Sequence, residues 1–280
     1  MSIISHIALD NLKLTHSIDK TADKNAFQLH CHDDFEVYFF IDGEGYFLIE
    51  GNCYTLSPFT LLVIRPGEVH CFKSTGEKHY ERYVINFDSD FLNLDEGDAS
   101  LIYSPFMNRE HGKNNLYKIN YNSIIVNIFN DFNEISLLSL EGMTLAAKSS
   151  LEMLLTKIYL TSKQQNADVG KDSLSSELIN EVLKYINENI SSQLTLDIIA
   201  SQFFISKYHL SRLFKKLTGV SVIDYVIRKR VFLSQQLLKG GFTSSQVCVK
   251  AGFGDYSAFY RSFKRVVGYS PIQQRTSRFK

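Results

Sequence analysis

The sequence predicts a two-domain protein in which a β-barrel with trailing helices precedes an all-α half built from two helix-turn-helix units. Short aromatic strands recur at about ten-residue spacing in the first third of the chain. Apolar residues follow helical spacing from residue 124 onwards, and one segment of the helical half nearly repeats 49 residues later. At 280 residues, the chain is long enough for each domain to bury its own core.

The first third of the chain is predicted to form the strands of the barrel. Four segments are rich in aromatic and β-branched residues, and turn signals such as Pro66-Gly67 separate them. These segments are Phe35–Ile41, Gly45–Ile49, Leu61–Ile64 and Tyr80–Phe87. Several short strands at even spacing indicate a sandwich or barrel. We assign residues 1–165 to this domain, including the helices that follow the strands.

Two helices are predicted after the strands, over Ile124–Leu140 and Thr144–Leu160. The second helix carries an apolar stripe, formed by Leu145, Leu151, Leu154, Leu155 and Ile158. Such a stripe usually faces a core, and it can also pair with its copy in a second subunit. Packing on the barrel and formation of a homodimer therefore both stay open. Residues 166–176 are polar and lack periodicity, so we predict a linker there.

The charge is divided unevenly between the two halves. Residues 177–280 contain 16 Lys and Arg against 6 Asp and Glu, and the rest of the chain is acidic by the same margin. This asymmetry indicates a nucleic-acid partner for the basic half, although charges on solvated surfaces also cluster by chance. The cysteines lack CxxC spacing, the chain opens without a signal-peptide pattern, and no apolar run would span a membrane. These features predict a cytoplasmic protein without a membrane partner.

The repeat in residues 177–280 predicts how DNA is bound. Ser206 to Gly219 aligns with Asp255 to Gly268, and a short apolar helix precedes each copy. Ser and Asp cap helices by accepting backbone N–H groups, so each copy reads as helix, tight turn and helix. The second helix of a helix-turn-helix enters the major groove of double-stranded DNA. Arg212 and Arg261 hold equivalent places in the two copies, where a guanidinium can bind guanine or phosphate.

This half resembles the AraC/XylS family of transcription regulators. The second copy carries the family's pattern in Gly252–Lys264 and Gly268–Pro271, and the helix between the copies matches through Tyr225 and Arg230. The resemblance implies a ligand-responsive, sequence-specific regulator that acts as a dimer, with RNA polymerase as a further partner if it is an activator. It also implies DNA contacts from Ser206, Lys207, Tyr208, Ser211, Arg212, Lys215, Tyr256, Ser257, Tyr260, Arg261 and Lys264. For the lysines, a merely solvated position is an equally good interpretation.

A second group of residues in the first domain suits a metal ion or a polar ligand. His30, His32 and Glu36 are followed by His70, and strand alternation would place the first three on one face. Three imidazoles and one carboxylate suit a divalent transition metal. The spacing resembles that of the cupin barrels, which use these positions as ligands. Phe59 departs from the second cupin motif, which has Gly there.

Three interpretations of this group compete. The first is an effector pocket that also includes Tyr38, the second is a divalent metal cofactor that takes part in sensing, and the third is a cupin-type metalloenzyme fused to a DNA-binding domain. A DNA-binding half makes catalysis unnecessary, so we predict a regulator and no enzyme. Resemblance to sugar-responsive members of the family makes a saccharide the predicted effector.

Overall fold

The computed structural model describes residues 2–19, 29–76, 79–164 and 174–276. It divides into two compact units. The first unit comprises Met1–Gln28, Asp34–Ile49 and Cys53–Lys171, and the second comprises Leu29–Asp33, Glu50–Asn52 and Asp172–Lys280. Most of the predicted linker, residues 166–173, lies outside the described residues. Every helix in the described part of the chain is too short or too polar to cross a membrane.

The first unit contains two antiparallel sheets. One sheet has the strand order β1-β2-β8-β3-β6-β9 and the other has the order β5-β4-β7. The strands are β1 (Ser2–Leu9), β2 (Leu12–Asp19), β3 (Phe35–Asp42), β4 (Gly45–Ile49), β5 (Asn52–Thr55), β6 (Thr60–Ile64), β7 (His70–Ser74), β8 (Tyr80–Phe87) and β9 (Leu116–Lys118). The four predicted strands are confirmed as β3, β4, β6 and β8. The others escaped prediction because polar residues interrupt them or because they are very short.

Strand β3 lies between β8 and β6 and separates two cores. Its first six residues are all buried, since both faces are covered. Val37 and Phe39 pack on one face against helices, whereas Tyr38 and Phe40 pack on the other against residues of the second sheet. Glu36 shares the face of Tyr38 by strand alternation. This inner face is therefore where a polar group can meet a ligand.

The described part of the first unit also contains the α-helices α1 (Glu96–Ile102), α2 (Ser104–Met107), α3 (Ile124–Ile135) and α4 (Leu140–Gln164). The helix predicted over Ile124–Leu140 therefore ends five residues early. The predicted stripe of α4 is buried from Leu151 onwards, but Leu145 is 71% exposed and does not pack in this core. Ala147 takes the buried position instead, because it lies one turn before Leu151 while Leu145 lies on the opposite side.

A buried ion pair joins distant parts of the first unit. The Arg109 guanidinium donates to both carboxylate oxygens of Glu68, at 2.7 Å each. The Gly112 backbone N–H and the Asn115 amide also donate to this carboxylate, at 2.8 and 3.1 Å. Burial alone would raise the pKa of Glu68, but the bonds from Arg109 and Gly112 and the charge of Arg65 lower it to about 2. The carboxylate is thus held in its charged form.

The second unit is helical. Its helices are α5 (Leu174–Glu188), α6 (Leu196–Gln202), α7 (Lys207–Thr218), α8 (Val222–Lys239), α9 (Ser244–Lys250), α10 (Tyr256–Val267) and α11 (Pro271–Thr276). The sequence predicts helices over Glu177–Asn189, Leu194–Phe203, Ser206–Leu217, Val222–Leu238, Ser244–Ala251 and Asp255–Val266, with a stop at Gly240-Gly241. The first six helices confirm these to within three residues at each end. Helix α8 ends at the predicted stop, where Gly241 has a φ of +90°.

The two helix-turn-helix units, α6–α7 and α9–α10, differ in their turns. Ser206 and Asp255 cap α7 and α10 as predicted, accepting backbone N–H bonds of 3.2 and 2.7 Å. Each turn contains a left-handed residue, Phe204 at φ +54° and Gly252 at φ +79°. A Cβ on Gly252 would come within 2.7 Å of the Ser191 carbonyl oxygen, so glycine is required there. The second turn is one residue longer than the first.

Candidate nucleic-acid interface and ligand site

Helices α7 and α10 each bury one face and expose the other. Phe214 of α7 and Phe259 and Phe263 of α10 are fully buried. The opposite face of each helix carries the residues predicted to contact DNA. The two helices thus expose similar sets of polar and basic side chains.

Most of the predicted contact residues are exposed. In the first unit of the repeat, Ser206, Lys207, Tyr208, Arg212 and Lys215 are exposed and Ser211 is half-buried. In the second, Tyr256, Ser257, Arg261 and Lys264 are exposed and Tyr260 is half-buried. Among the described residues, neither Arg212 nor Arg261 has an ion-pair or hydrogen-bond partner, so both guanidinium groups are available.

One exposed residue in this region escaped prediction. His209 lies at the third position of α7, next to Tyr208, and its side chain faces solvent. The N-terminal residues of a recognition helix are those that meet base edges. The position of His209 near the start of α7, rather than its residue type, could have identified it from the sequence as a candidate for DNA contact.

Helix α8 links the two recognition helices. On one side the ring of Tyr225 contacts the ring of Phe214 in α7, with centroids 5.7 Å apart. Further along, Val231 and Leu238 share a core with Phe259 and Phe263 of α10. The placement of α7 relative to α10 therefore depends on α8.

The four candidate metal ligands are divided between the two units. Glu36 and His70 belong to the first unit, and His30 and His32 belong to the second. The predicted strand alternation does not extend from Glu36 to the two histidines, because β3 begins only at Phe35 and a bend at Asp33-Asp34 precedes it.

Neighbouring groups orient two of these side chains. The Nδ1 atom of His70 lies 2.8 Å from the carbonyl oxygen of Glu68, so it carries the proton, and Nε2 lies 3.5 Å from Oε2 of Glu36. The Asn86 amide donates to the same Glu36 oxygen at 2.9 Å. Hydrogen bonds of this kind fix the ring and carboxylate orientations of metal-ligating side chains.

Tyr38 completes a polar and aromatic inner face. The side chain is 4% exposed, and its hydroxyl has no hydrogen-bond partner among the residues that the structure describes. Its ring lies 4.6 Å from that of Phe47, and the Phe47 ring stacks at 6.0 Å on His70. Buried hydroxyl groups usually find a partner, so this one favours a polar ligand.

Two family models match the chain, one in each half. An AraC-like ligand binding domain matches residues 17–120, which contain the inner face of the first unit. A helix-turn-helix domain matches residues 199–277, which contain both units of the repeat.

Known proteins match part of the chain or most of its length. The activator AarP of Providencia stuartii is 31% identical over 103 residues, which are 36% of this chain and 76% of AarP. The regulator YfiF of Bacillus subtilis is 27% identical over 251 residues, which are 87% of this chain and 77% of YfiF. A crystal structure of ToxT from Vibrio cholerae covers 95% of this chain and 98% of its own, with 14% identity and a TM-score of 0.42.

The two family models agree with the architecture described above, in which a sheet-rich unit precedes a helical unit with two helix-turn-helix repeats. The chain therefore belongs to the AraC family of ligand-responsive, DNA-binding transcription regulators.

Proposed function

We propose that a small-molecule effector binds on the inner face of the first unit and controls how α7 and α10 bind an operator. The effector would contact Glu36, His70 and Tyr38, and the sequence adds His30 and His32 to this set. The observation that carries the proposal is the buried inner face of the first unit, where Nε2 of His70 lies 3.5 Å from Oε2 of Glu36 and the Tyr38 hydroxyl has no hydrogen-bond partner among the described residues. Buried hydroxyl groups usually have a partner, so the Tyr38 hydroxyl favours a polar ligand.

A saccharide suits this site. Its hydroxyl groups can donate to the Glu36 carboxylate and bond to imidazole nitrogens, while the Tyr38 hydroxyl supplies a further bond. The rings of Tyr38 and Phe47 offer apolar surface for a sugar ring. Small-molecule sites commonly combine a largely apolar wall with a few polar groups of this kind.

A divalent metal ion is the second candidate for the same four residues, which makes a metal sensor the alternative function. The donor types fit, since three imidazoles and a carboxylate suit such an ion, and Asn86 and the Glu68 carbonyl orient Glu36 and His70. When bound, the ion would neutralise the Glu36 carboxylate and satisfy the imidazoles together. The histidines and Glu36 would hold the ion, whereas Tyr38 would not.

Replacing His70 and Tyr38 separates the two candidates. At a hundredfold excess over its Kd, a ligand should raise the Tm of the wild type by about 5–10 °C. If Ni²⁺ is the ligand, His70→Ala should lose the shift and Tyr38→Phe should keep it. If a saccharide is the ligand, both variants should lose the shift. Thermal unfolding is measured with Ni²⁺ alone and with a panel of saccharides.

His79→Ala is the matched control, because His79 is about half-exposed and pairs with Asp42 instead of the four-residue cluster. It should respond as the wild type does. A wild type that no saccharide stabilises, or a His70→Ala variant that responds normally to Ni²⁺, would exclude the corresponding candidate.

For DNA, we infer that α7 and α10 each enter a major groove and that the eleven residues predicted from the sequence make the contacts. Their exposure and the net positive charge of residues 177–280 support this inference. His209 is added on the basis of its exposed position. Because the relative AarP is an activator, we further infer that this chain activates transcription through RNA polymerase.

We also propose that the regulator is a homodimer that pairs through α4. Leu145, Met153 and Leu160 expose 71%, 47% and 44% of their surfaces along one face of this helix. In an antiparallel pair centred near Met153, Leu145 would meet the partner's Leu160. Glu141 would then lie near Lys163 of the partner subunit, so the charges at the two ends are complementary.

A charge at the centre of this face should dissociate the dimer. Met153→Glu would place two like charges close together across the two-fold axis, and the dimer Kd should rise at least about tenfold. Thr144→Glu is the control, since Thr144 is exposed on another side of the same helix. Sedimentation equilibrium measures both variants. An unchanged Kd for Met153→Glu, or a monomeric wild type, contradicts the proposed interface.

A further inference from the structure

We propose that Phe204, in the turn between α6 and α7, is a specificity-determining residue that recognises the 5-methyl group of a thymine in the operator. The inference rests on the proposed function, because it identifies a feature of the DNA that the first helix-turn-helix unit would recognise. Phe204 lies outside the set of residues predicted from the sequence to contact DNA. Both Phe204 and α7 belong to the second unit.

Phe204 combines an unfavourable backbone conformation with an exposed apolar side chain. Its φ is +54°, in the left-handed region where a bulky residue is a clear outlier. Phe59 has a similar φ of +62°, but it is partly buried and packs against the core of the first unit. The Phe204 side chain is 97% exposed, so packing within the protein does not offset its strain. Residues in such conformations cluster at functional sites.

The second copy of the repeat shows that the turn itself needs no side chain at this position. Both turns form the same C-terminal helix cap. In the first copy, the Ile205 N–H donates to the Ala200 carbonyl oxygen at 3.1 Å, and the corresponding bond in the second copy is 3.0 Å long. Where the first copy has Phe204, the second has Gly252. Glycine is the residue that fits this cap at the lowest cost, so the stability of the turn does not explain the phenylalanine.

The turn holds Phe204 beside the N-terminal end of α7. The preceding residue, Phe203, places its ring 5.7 Å from the ring of Tyr185 in α5, and this contact anchors the turn. Ser206, which caps α7, follows two positions after Phe204, and Tyr208 in the first turn of α7 is 80% exposed. The N-terminal residues of a recognition helix meet base edges in the major groove. An exposed side chain that adjoins them is therefore placed to contact the same groove.

The chemistry of the side chain limits the part of the DNA that it can contact. A phenyl ring has no hydrogen-bonding group and no charge, so it binds neither a phosphate nor the polar atoms of a base edge. The 5-methyl group of thymine is the apolar feature of the major groove, and phenylalanine is among the side chains that contact it.

A protein partner fits this surface less well than DNA does. The apolar surface consists of the Phe204 ring and the neighbouring Ile198, which is 38% exposed. Specific protein interfaces bury about 1,000 Å² or more, and two side chains supply only a small part of that area. The exposed residues that follow Phe204 along the chain are also those predicted to contact DNA.

The test replaces single thymines of an operator by deoxyuridine, which keeps the base pair and removes only the methyl group. The probe is a duplex that the full-length wild type has enriched from a random-sequence library, and the Kd is measured by fluorescence anisotropy. For the wild type, deoxyuridine at one or two adjacent positions should raise the Kd about 4-fold, the effect of leaving one methyl group unburied. Phe204→Gly should bind the unmodified duplex about 4-fold less tightly and show no further loss at those positions.

Two further variants separate the loss of the ring from a change in the turn. Phe204→Leu keeps an apolar side chain and should retain part of the dependence on the methyl group. Leu137→Ala is the matched control, because Leu137 is 85% exposed in a turn of the first unit, and this variant should bind as the wild type does. Since glycine suits a φ of +54°, Phe204→Gly should unfold at a Tm no lower than that of the wild type. Weaker binding by this variant would then not result from misfolding.

Equal losses at the same deoxyuridine positions in Phe204→Gly and the wild type would overturn the inference and leave DNA binding intact. A wild type that is insensitive to deoxyuridine at every position would do the same. Normal DNA binding by Phe204→Gly with altered transcription by RNA polymerase in vitro would assign Phe204 to a protein partner and would also overturn the inference. If the wild type itself enriched no duplex, the proposed function would fail instead.

Discussion

Replacing Arg109 by methionine should lower the free energy of unfolding of the first unit by about 3–5 kcal/mol, because it leaves the buried Glu68 carboxylate without its main partner. The carboxylate is fully buried and accepts from both guanidinium nitrogens at 2.7 Å. Methionine fills part of the vacated volume but supplies no charge. The loss is measured by urea unfolding at neutral pH. It appears as a lower midpoint concentration of urea, while the slope of the unfolding free energy against urea concentration stays the same.

Lys113→Met is the control for this prediction. Lys113 pairs with Glu110 at 2.9 Å, but both side chains are exposed, so the variant should cost less than about 1 kcal/mol. For the double variant Glu68→Gln with Arg109→Met, the free energy of unfolding should fall by less than the sum of the decreases in the two single variants, because the two residues form one interaction. Equal losses for Arg109→Met and Lys113→Met would contradict the buried pair.

The same pair gives the stability of the first unit an acid-dependent component. The pKa of Glu68 is lowered from 4.5 to about 2 in the folded protein. Because the folded-state pKa lies below the unfolded value, the stabilisation is complete above pH 4.5 and is lost as the pH falls towards 2. The wild type should therefore lose stability over this range more steeply than Glu68→Gln, which lacks the titrating group.

Arg212→Ala and Arg261→Ala should each weaken specific DNA binding by about 1–3 kcal/mol if the guanidinium binds a guanine. Both side chains are exposed on the outer faces of α7 and α10, at equivalent positions of the repeat. The Kd is measured on an enriched duplex and on random DNA, over a range of salt concentrations. A base contact is lost only from the enriched duplex, whereas a lost phosphate contact weakens both and reduces the salt slope by about one.

Arg265→Ala is the matched control on α10. Arg265 pairs with Asp224 at 3.3 Å and is not among the predicted contact residues, so its loss should have a smaller effect on specificity. Equal loss on both DNAs would show that Arg212 or Arg261 binds phosphate alone. Unchanged binding in both variants would remove α7 and α10 from the proposed interface.

The sequence by itself determined the class of the protein and most of its secondary structure, because the signals involved are local. Helix caps such as Ser206 and Asp255, the stop at Gly240-Gly241 and the aromatic strands each depend on a few adjacent residues. The repeat placed Arg212 and Arg261 at equivalent positions without any tertiary information. The residue types at His30, His32, Glu36 and His70 likewise pointed to a polar or metal-binding site.

Only the tertiary structure decided which residues meet across long distances in the chain. Glu68 and Arg109 are separated by 41 positions, and Glu50 and Lys229 by 179. Periodicity assigns a residue to a face of its own helix or strand, but it does not identify what packs against that face. For this reason periodicity grouped Leu145 with the apolar stripe of α4, whereas the core of the first unit contains Ala147 and leaves Leu145 exposed.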